Sequence, residues 1–330
     1  MGQVFTHPGQ PQMQAEIILA SQSTVPGAKP IYTIRGRYPR PIHGEVMTHR
    51  KFGRNARSSR AVPVMTMLLE TTSIPFVPWH WHKNQPGMQG KVPLTPEEEK
   101  QAKIAWLRAR DAAVEAVEVL FDKDGLNIHK QNPNRLLEPF AWIDVLITTT
   151  DIENFLWLRD HEDAEPHLRD WARLVKQAVD AAEIQTLEPG QWHLPYITAD
   201  DIAHARMSFG ATLCGSHGDA INEFLRKLSA ARCARISYKP FDGDASYEKE
   251  LARYDLLVSS DRVHASPTEH QATPDVKHFF KDWEYERAKE MGIDLDRLAW
   301  DKPHLHGNLD GYIQARKLIP NECWHEGIEA

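Results

Sequence analysis

FAWIDVLITTTDIENFLWLRD, residues 140–160, joins a strand-like run to a helix-like run and decides the fold class. Residues 140–150 are rich in β-branched and aromatic side chains, which favour a strand. Asp151 is a residue type that caps helices, so residues 151–160 predict a short helix. A second helix is expected from about Ala164, because Leu168 and Trp171 begin an apolar pattern of helical period.

The remaining patterns also mix helices with strands. Thr95 starts a capping box with proline at the first helical position, which opens a helix ending near Phe121. The first hundred residues hold more than half of the 22 prolines and are expected to be loop-rich. We further expect extended residues at 31–42, helical pieces at 43–49, around 221–228, at 247–258 and at 275–292, and a strand at 232–238. No clean βαβ alternation is visible, so the prediction is an α+β fold with an antiparallel or mixed sheet flanked by long helices.

Length, net charge and composition exclude several classes of protein. A chain of 330 residues is long enough for two domains or one large one. The net charge of −7 argues against general duplex binding, so we expect no nucleic-acid partner. No run of eighteen apolar residues occurs and the N-terminal residues lack a signal-peptide pattern, so we expect no membrane association. Three cysteines, an odd number, suit a reducing cytoplasm.

Common catalytic and metal motifs are weak. Phosphate-binding glycine motifs, the nucleophile elbow and CxxC pairs are not found. His80 and His82 could offer two ligands from one face of a strand, but no third ligand is placed, so we predict no metal site. Cys214 and His217 are near in sequence, and a small buried residue at a helix entry explains that thiol better than catalysis does.

Residues 48–60, THRKFGRNARSSR, form the most distinctive segment, which we term the basic segment. Five of its thirteen residues are Arg or Lys, and most others are small hydrogen-bonding types. Arginine forks, serine hydroxyls and exposed N–H groups are what a phosphate ester needs. A solvated basic loop explains the composition equally well, so the residues alone leave both interpretations open.

The basic segment resembles the signature of flavin-dependent thymidylate synthases, RHRxxSxNxxSxR. The matching positions are His49, Arg50, Asn55, Ser58 and Arg60. Thr48 stands where the family has its first Arg, and Gly53 where it has its first Ser.

Four further stretches resemble elements of the same family. They are NRLLEP at 134–139, with Arg135 at the position of a substrate-binding Arg; NFLWLR at 154–159; ARISY at 234–238; and HASPTEH at 264–270. In the usual family the last two precede the basic segment, whereas here they follow it. The order therefore resembles a circular permutation, as in a virus-like or phage variant. Residues 71–95, 185–220 and 275–305 match no family element.

The resemblance implies reductive methylation of dUMP at C5 to give dTMP. Methylenetetrahydrofolate would supply the carbon and NADPH would reduce an FAD cofactor, in a homotetramer that shares its sites between subunits. It implies catalytic roles for Arg159 and His264. The substrate-binding set would be Glu45, Ser58, Ser59, Arg60, Arg135 and Arg159, and the FAD-binding set His49, Arg50, Asn55, Asn154, Ser237 and Ser266. Residues 1–330 would form one intertwined catalytic domain, with a family core at 30–185 and a permuted part at 225–330.

Departures from the family pattern keep alternatives open. Thr48, Ala56 and Glu45 replace residues that the family places near the nucleotide. Glu45 could accept a hydrogen bond from a cytosine amine, which would favour dCMP, and a hydroxymethylated product is a further alternative. A protein of another class, a non-catalytic nucleotide- or RNA-binding protein, would use the basic segment and the aromatic residues of 76–81 as its surface.

Overall fold

The structure is a computed structural model that describes residues 2–210, 215–236, 244–258, 263–278, 285–293 and 298–323. Its strands are β1 (Val4–His7), β2 (Gln10–Ser23), β3 (Ile31–Pro39), β4 (Gly53–Ala56), β5 (Trp142–Thr149), β6 (Ile184–Leu187), β7 (Ala272–Pro274), β8 (Lys277–His278), β9 (Ala299–Trp300) and β10 (Tyr312–Gln314). Its helices are α1 (His43–Val46), α2 (Val64–Ser73), α3 (Pro96–Phe121), α4 (Pro133–Leu136), α5 (Ile152–Arg159), α6 (Pro166–Asp180), α7 (Ala199–Phe209), α8 (Gly215–Ala234), α9 (Tyr247–Val258) and α10 (Tyr285–Glu290).

The main sheet has six strands in the order β1-β2-β3-β5-β4, with β6 also paired to β2. The pairs along that path are antiparallel, whereas β6 runs parallel to β2. The predicted α+β class with a mixed sheet is therefore confirmed. The strand predicted at 140–150 is β5, which lies between β3 and β4 and is almost entirely buried.

Helix α6 covers one face of this sheet. Leu168 and Trp171 are fully buried against it, as their spacing predicts. The Trp171 indole N–H donates to the carbonyl of Gln14 in β2 at 3.1 Å. A Cβ added at Gly36 in β3 would lie 2.6 Å from the Trp171 ring, so glycine at this position allows the helix to approach the sheet closely.

The opposite face of the sheet carries a buried polar chain. Thr33 and Thr148 are paired across β3 and β5, with their hydroxyl oxygens 2.6 Å apart. His193 lies 2.8 Å from Thr33 and 2.7 Å from Ser21, and His270 lies 2.9 Å from Thr148. Burial lowers the pKa of both histidines to about 3, so both are neutral at pH 7. These hydrogen bonds connect His193 and His270 to the centre of the sheet.

The first hundred residues are not generally loop-rich, so that expectation is wrong. The fourteen-residue strand β2 was missed, and its burial alternates only in part because the register shifts between Ile17 and Leu19. Irregular structure is concentrated at 74–94, where the prolines Pro75, Pro78 and Pro86 occur.

Two further sequence predictions are wrong. Residues 232–234 belong to α8 and 235–236 to a turn, not to a strand, while 237–238 lie outside the described residues. Alanines 230, 231 and 234 are buried, and their helix propensity extends α8 through this stretch. The helix predicted at 275–292 is present at α10 but wrong at 275–278, where Asp275 accepts backbone bonds from Val276 and Lys302 and leads into β8. Residues 279–284 are outside the described part.

The helix ends are mostly as predicted. Helix α3 has the complete Thr95–Glu98 capping box, and α9 matches 247–258. Asp151 occupies the N-cap of α5, but its carboxylate makes no capping bond and instead lies 3.7 Å from the Lys29 ammonium. Within the described residues, no helix is long and apolar enough to span a membrane.

Candidate functional site

The basic segment runs from the end of α1 through β4. Its first turn is closed by backbone bonds from Thr48 to Glu45 and from Phe52 to His49. Gly53–Ala56 then pair with β5 in antiparallel register. This pairing places the segment along one edge of the main sheet.

Arg159, at the end of α5, is bonded to the start of the basic segment. Its Nε donates to His49 Nε2 at 2.8 Å, and its Nη2 donates to Thr48 Oγ1 at 2.9 Å. The Thr48 hydroxyl in turn donates to the carbonyl of Glu45 at 2.6 Å. The structure thus brings together two predicted site segments that lie about a hundred residues apart in sequence.

His49 is a neutral acceptor in this arrangement. Its ring is 8% exposed, stacks on Phe52 with centroids 5.2 Å apart, and meets Phe155 edge-on at 5.0 Å. Burial, aided by the Arg159 charge, lowers the pKa of His49 to about 4. Because Arg159 donates to Nε2, the ring proton belongs on Nδ1. His49 therefore orients Arg159, and its contact with flavin stays a prediction.

The HASPTEH stretch lies directly against β4. Its residues Ser266–Glu269 form a 3-10 turn, and Glu269 Oε2 accepts from the backbone N–H of Arg54 at 3.2 Å. A Cβ at Gly53 would lie 3.2 Å from the Cβ of Glu269. The glycine that replaces the family serine thus permits close packing of these two segments.

A cavity of about 210 Å³ opens between these elements. Its wall includes four predicted site residues from two distant segments, and the full lining comprises Arg54, Asn55, Ala56, Ser58, Ala234, Leu257, His264, Ser266 and Pro267. The Asn55 amide is buried and donates to the Cys233 carbonyl at 3.5 Å. His264 and Ser266 are exposed. The cavity offers imidazole, hydroxyl and guanidinium donors to a polar ligand.

Helix α4 supports the other end of the basic segment. The Asn134 amide donates to the carbonyls of Ser59 and Val62 at 2.8 and 2.9 Å, and Ser59 Oγ donates to Glu138 at 2.5 Å. Arg60 and Arg135 are both exposed on these adjoining segments. Sequence reasoning missed the supporting roles of Asn134 and Glu138, although both lie in the NRLLEP stretch.

The remaining predicted residues have varied placements. Arg50 and Asn154 are exposed, and Glu45 is half-buried on α1. Ser237 lies outside the described residues. The ligand contacts of these side chains stay predictions.

A larger cavity, of about 980 Å³, lies on the side of the sheet away from α6. Three arginines in its wall face carboxylates: Arg35 pairs with Glu16 at 2.6 Å, Arg37 with Asp144 at 2.9 Å, and Arg57 with Glu70 at 2.9 Å. Arg232 and Arg235 also line the wall and pair with Asp201 and Glu250. Each of these arginines already has a carboxylate partner, so the exposed arginines of the basic segment suit a phosphate better.

The aromatic residues of 76–81 differ in exposure. Phe76 is 2% exposed, whereas Trp79 and Trp81 are half-buried. The Trp79 indole donates to Asp170 at 2.9 Å, and Trp81 packs edge-on against Trp106 with centroids 6.2 Å apart. These contacts hold the two tryptophans in place, and the Phe76 ring is not accessible to a ligand.

The two histidines of the HxH pair do not share a strand face. His80 Nε2 lies 2.6 Å from Asp170 Oδ2, whereas His82 forms an isolated backbone bridge to Pro93. In the described part of the chain, no group of three or more His, Cys, Asp or Glu residues is placed to hold a metal ion. Cys214 lies outside the described residues.

Comparison with known proteins gives partial structural similarities. No protein-family description matches the chain, and no curated protein matches it. A flavin-dependent thymidylate synthase ThyX from Helicobacter pylori, complexed with FAD and dUMP, is 17% identical, with a TM-score of 0.30 over 45% of this chain and 67% of that one. The UMP/dUMP methylase PolB from Streptomyces cacaoi, bound with 5-Br UMP, is 16% identical, with a TM-score of 0.39 over 51% and 88%. The same methylase bound with 5-Br dUMP is 20% identical, with a TM-score of 0.36 over 47% and 67%. Similarities this partial assign no activity to this chain.

Proposed function

We propose that the chain is an FAD-dependent enzyme that transfers a one-carbon unit from methylenetetrahydrofolate to C5 of a pyrimidine deoxynucleoside monophosphate. The preferred reaction is reductive methylation of dUMP to dTMP, with NADPH as reductant. The observation that carries this proposal is the meeting of the basic segment with Arg159 and with the HASPTEH stretch. These elements are far apart in sequence, and each resembles a part of one enzyme family.

The exposed arginines suit the nucleotide. Arg60 and Arg135, exposed on adjoining segments, can bind the phosphate, and the half-buried Ser58 can add a hydroxyl donor. The Ser59 hydroxyl is buried and donates to Glu138, so for Ser59 we propose a role in holding this segment in place. Arg159 has a fixed guanidinium, which can stabilise negative charge on the pyrimidine and so raise electron density at C5. His264, exposed at the cavity, is the second proposed catalytic group.

The described residues fit FAD in a site completed by another chain. Bound FAD would supply the hydride, and Arg50, Asn154 and Ser266 present exposed polar groups that could hold it. His49 and Asn55 are buried, so they would lie beneath these exposed groups and position them. The 210 Å³ cavity is smaller than the roughly 300–1,000 Å³ of a typical ligand site, so one chain alone does not enclose this ligand.

We propose a homotetramer with sites shared between subunits, and exposed apolar side chains next to Arg159 support contact between copies of the chain. Trp157 is 73% exposed and Leu158 is 41% exposed on α5, next to Arg159. Large apolar side chains in this position favour contact with a second copy of the chain. Light scattering that gives a monomer with a full complement of FAD would contradict the shared site.

The circular permutation remains part of the proposal. It rests on the order of the family-like stretches along the sequence. The contact of Glu269 with the Arg54 N–H shows only that the HASPTEH stretch and β4 are adjacent in this chain.

Two alternatives at the same site concern substrate and product. Glu45 is half-buried on α1, and its carbonyl accepts from the Thr48 hydroxyl, which also accepts from Arg159. A carboxylate near the base would be compatible with dCMP. A hydroxymethylated product would need water in place of hydride in the last step.

Flavin binding tests the enzyme class directly. The purified chain, reconstituted with FAD, should show the absorbance of oxidised flavin after gel filtration, and dUMP should perturb that spectrum. A colourless chain that binds dUMP but not FAD would instead favour the non-catalytic nucleotide-binding class.

A further inference from the structure

We propose that Glu269 is a positioning residue that holds the basic segment in place through the backbone of Arg54. This inference deepens the proposed function, because it concerns the same site, and it rests on that function only where nucleotide binding is the readout.

Glu269 joins three parts of the chain. Its Oε2 accepts from the Arg54 N–H of β4 at 3.2 Å, and its Oε1 pairs with the Arg316 guanidinium. Its backbone carbonyl accepts from the Gln314 amide at 3.0 Å. The carboxylate is only 16% exposed, so water replaces these partners poorly.

Arg54 connects Glu269 to the turn that binds Arg159, the proposed catalytic arginine. Its Nη1 donates to the carbonyl of Met47 at 2.9 Å and to that of His49 at 3.4 Å. His49 in turn accepts from Arg159 Nε at 2.8 Å. A continuous set of contacts therefore runs from Glu269 through Arg54 and His49 to Arg159.

Residues 306–316, the C-terminal strap, reinforce the same segment. Asp310 Oδ1 lies 2.7 Å from the Lys51 ammonium, and the Asn308 amide donates to the Lys51 carbonyl at 3.1 Å. The N–H of Asp310 donates to Thr150 Oγ1 at 3.1 Å. The C-terminal strap follows residues 275–305, a stretch without a family counterpart. Its contacts with Lys51 help to hold the basic segment in place.

Glu322 provides a matched control. Both Glu269 and Glu322 bind the Arg316 guanidinium, the latter through a 2.6 Å bond from Nε. Only Glu269 also accepts from β4. Removing either carboxylate removes a hydrogen bond to Arg316. Only removal of Glu269 also removes the bond to the Arg54 N–H.

Hydrogen exchange of the full chain separates positioning from general stability. In Glu269→Ala, peptides covering 47–56 should exchange about tenfold faster or more than in Glu322→Ala, the factor expected when a hydrogen bond to a charged group is lost. Glu269→Gln retains an oxygen that can accept from Arg54 and should restore most of the protection. Equal exchange of these peptides in the two alanine variants would overturn the proposal.

Titration with dUMP gives the second readout and separates the two proposals. If wild type binds dUMP, Glu269→Ala should bind it about tenfold more weakly than Glu322→Ala does, by the same reasoning. Equal dUMP affinity in the two variants would refute positioning of the site. If wild type binds neither dUMP nor FAD, the proposed function fails, and hydrogen exchange still decides whether Glu269 positions the segment.

Discussion

Arg159 and His49 form a direct hydrogen bond in which the guanidinium Nε donates to the imidazole Nε2 at 2.8 Å. The bond requires a neutral His49, and burial beside Arg159 provides one by lowering the pKa of His49 to about 4. The histidine of the basic segment therefore sets the direction of the arginine proposed to contact the pyrimidine.

Acid should destabilise the fold as the pH falls from about 6.5 to about 3. Burial lowers the pKa of His43 and His49 to about 4, and that of His193 and His270 to about 3. The unfolded chain therefore binds more protons in this range, so the stabilisation is complete above pH 6.5 and is lost as the pH falls. Each histidine should contribute a loss of about 1–3 kcal/mol, measured by urea unfolding at a series of pH values.

His49→Asn should make the unfolding free energy less dependent on pH, since one of these groups is removed. His129→Asn, at an exposed histidine, is the control. An identical pH dependence in wild type and His49→Asn would show that His49 is not held neutral by the fold.

Arg60→Ala and Arg135→Ala should each weaken dUMP binding. Loss of one charged hydrogen bond to phosphate corresponds to about 1.5–3 kcal/mol, and flavin content should fall less. Isothermal titration measures the change. Arg173→Ala is the control, because that exposed arginine on α6 pairs with Asp160. Unchanged nucleotide affinity in both test variants would remove the basic segment and α4 as the phosphate site.

Glu45→Gln tests how the base is selected. If the enzyme uses dCMP and Glu45 accepts from its amine, the variant should lose preference for dCMP over dUMP by about ten- to a hundredfold, the equivalent of about 1–3 kcal/mol. Competition between the two nucleotides, followed by product analysis, measures the ratio. An unaltered ratio would show that Glu45 does not contact the base.

Gly36→Ala should destabilise the contact between α6 and the sheet. The added Cβ would lie 2.6 Å from the Trp171 ring, and overpacking of this kind costs about 1–3 kcal/mol. Gly44→Ala is the matched control, because no atom lies within 4 Å of its added Cβ. Gly36→Ala should unfold at a lower urea concentration than Gly44→Ala. Equal midpoints would show that α6 can move away from the sheet without a loss of unfolding free energy.

Local patterns predicted much of the fold. The β-branched run that became β5, the capping box of α3 and the apolar spacing of α6 each act within one element. Strand β2 was missed because a register shift between Ile17 and Leu19 reverses which residues face the core, so its burial pattern is not a simple alternation. Residues 232–234 were misassigned because buried alanines extend a helix through a short strand-like pattern.

The candidate site was less accessible to sequence reasoning. The motif resemblance selected Arg159 and the basic segment, but their bond depends on how α5 meets the turn after α1. The contact of Glu269 with Arg54 joins positions on different elements, and no local pattern specifies it. Tertiary packing also determines that the Trp79 indole donates to Asp170.

Product analysis tests the central claim most directly. The chain would be incubated with FAD, NADPH and methylenetetrahydrofolate, with dUMP or dCMP as acceptor, and the nucleotides separated and identified by mass. We expect dTMP to form from dUMP, with its formation dependent on FAD and abolished by Arg159→Ala. Recovery of both nucleotides unchanged from a chain that has bound FAD and dUMP would contradict it.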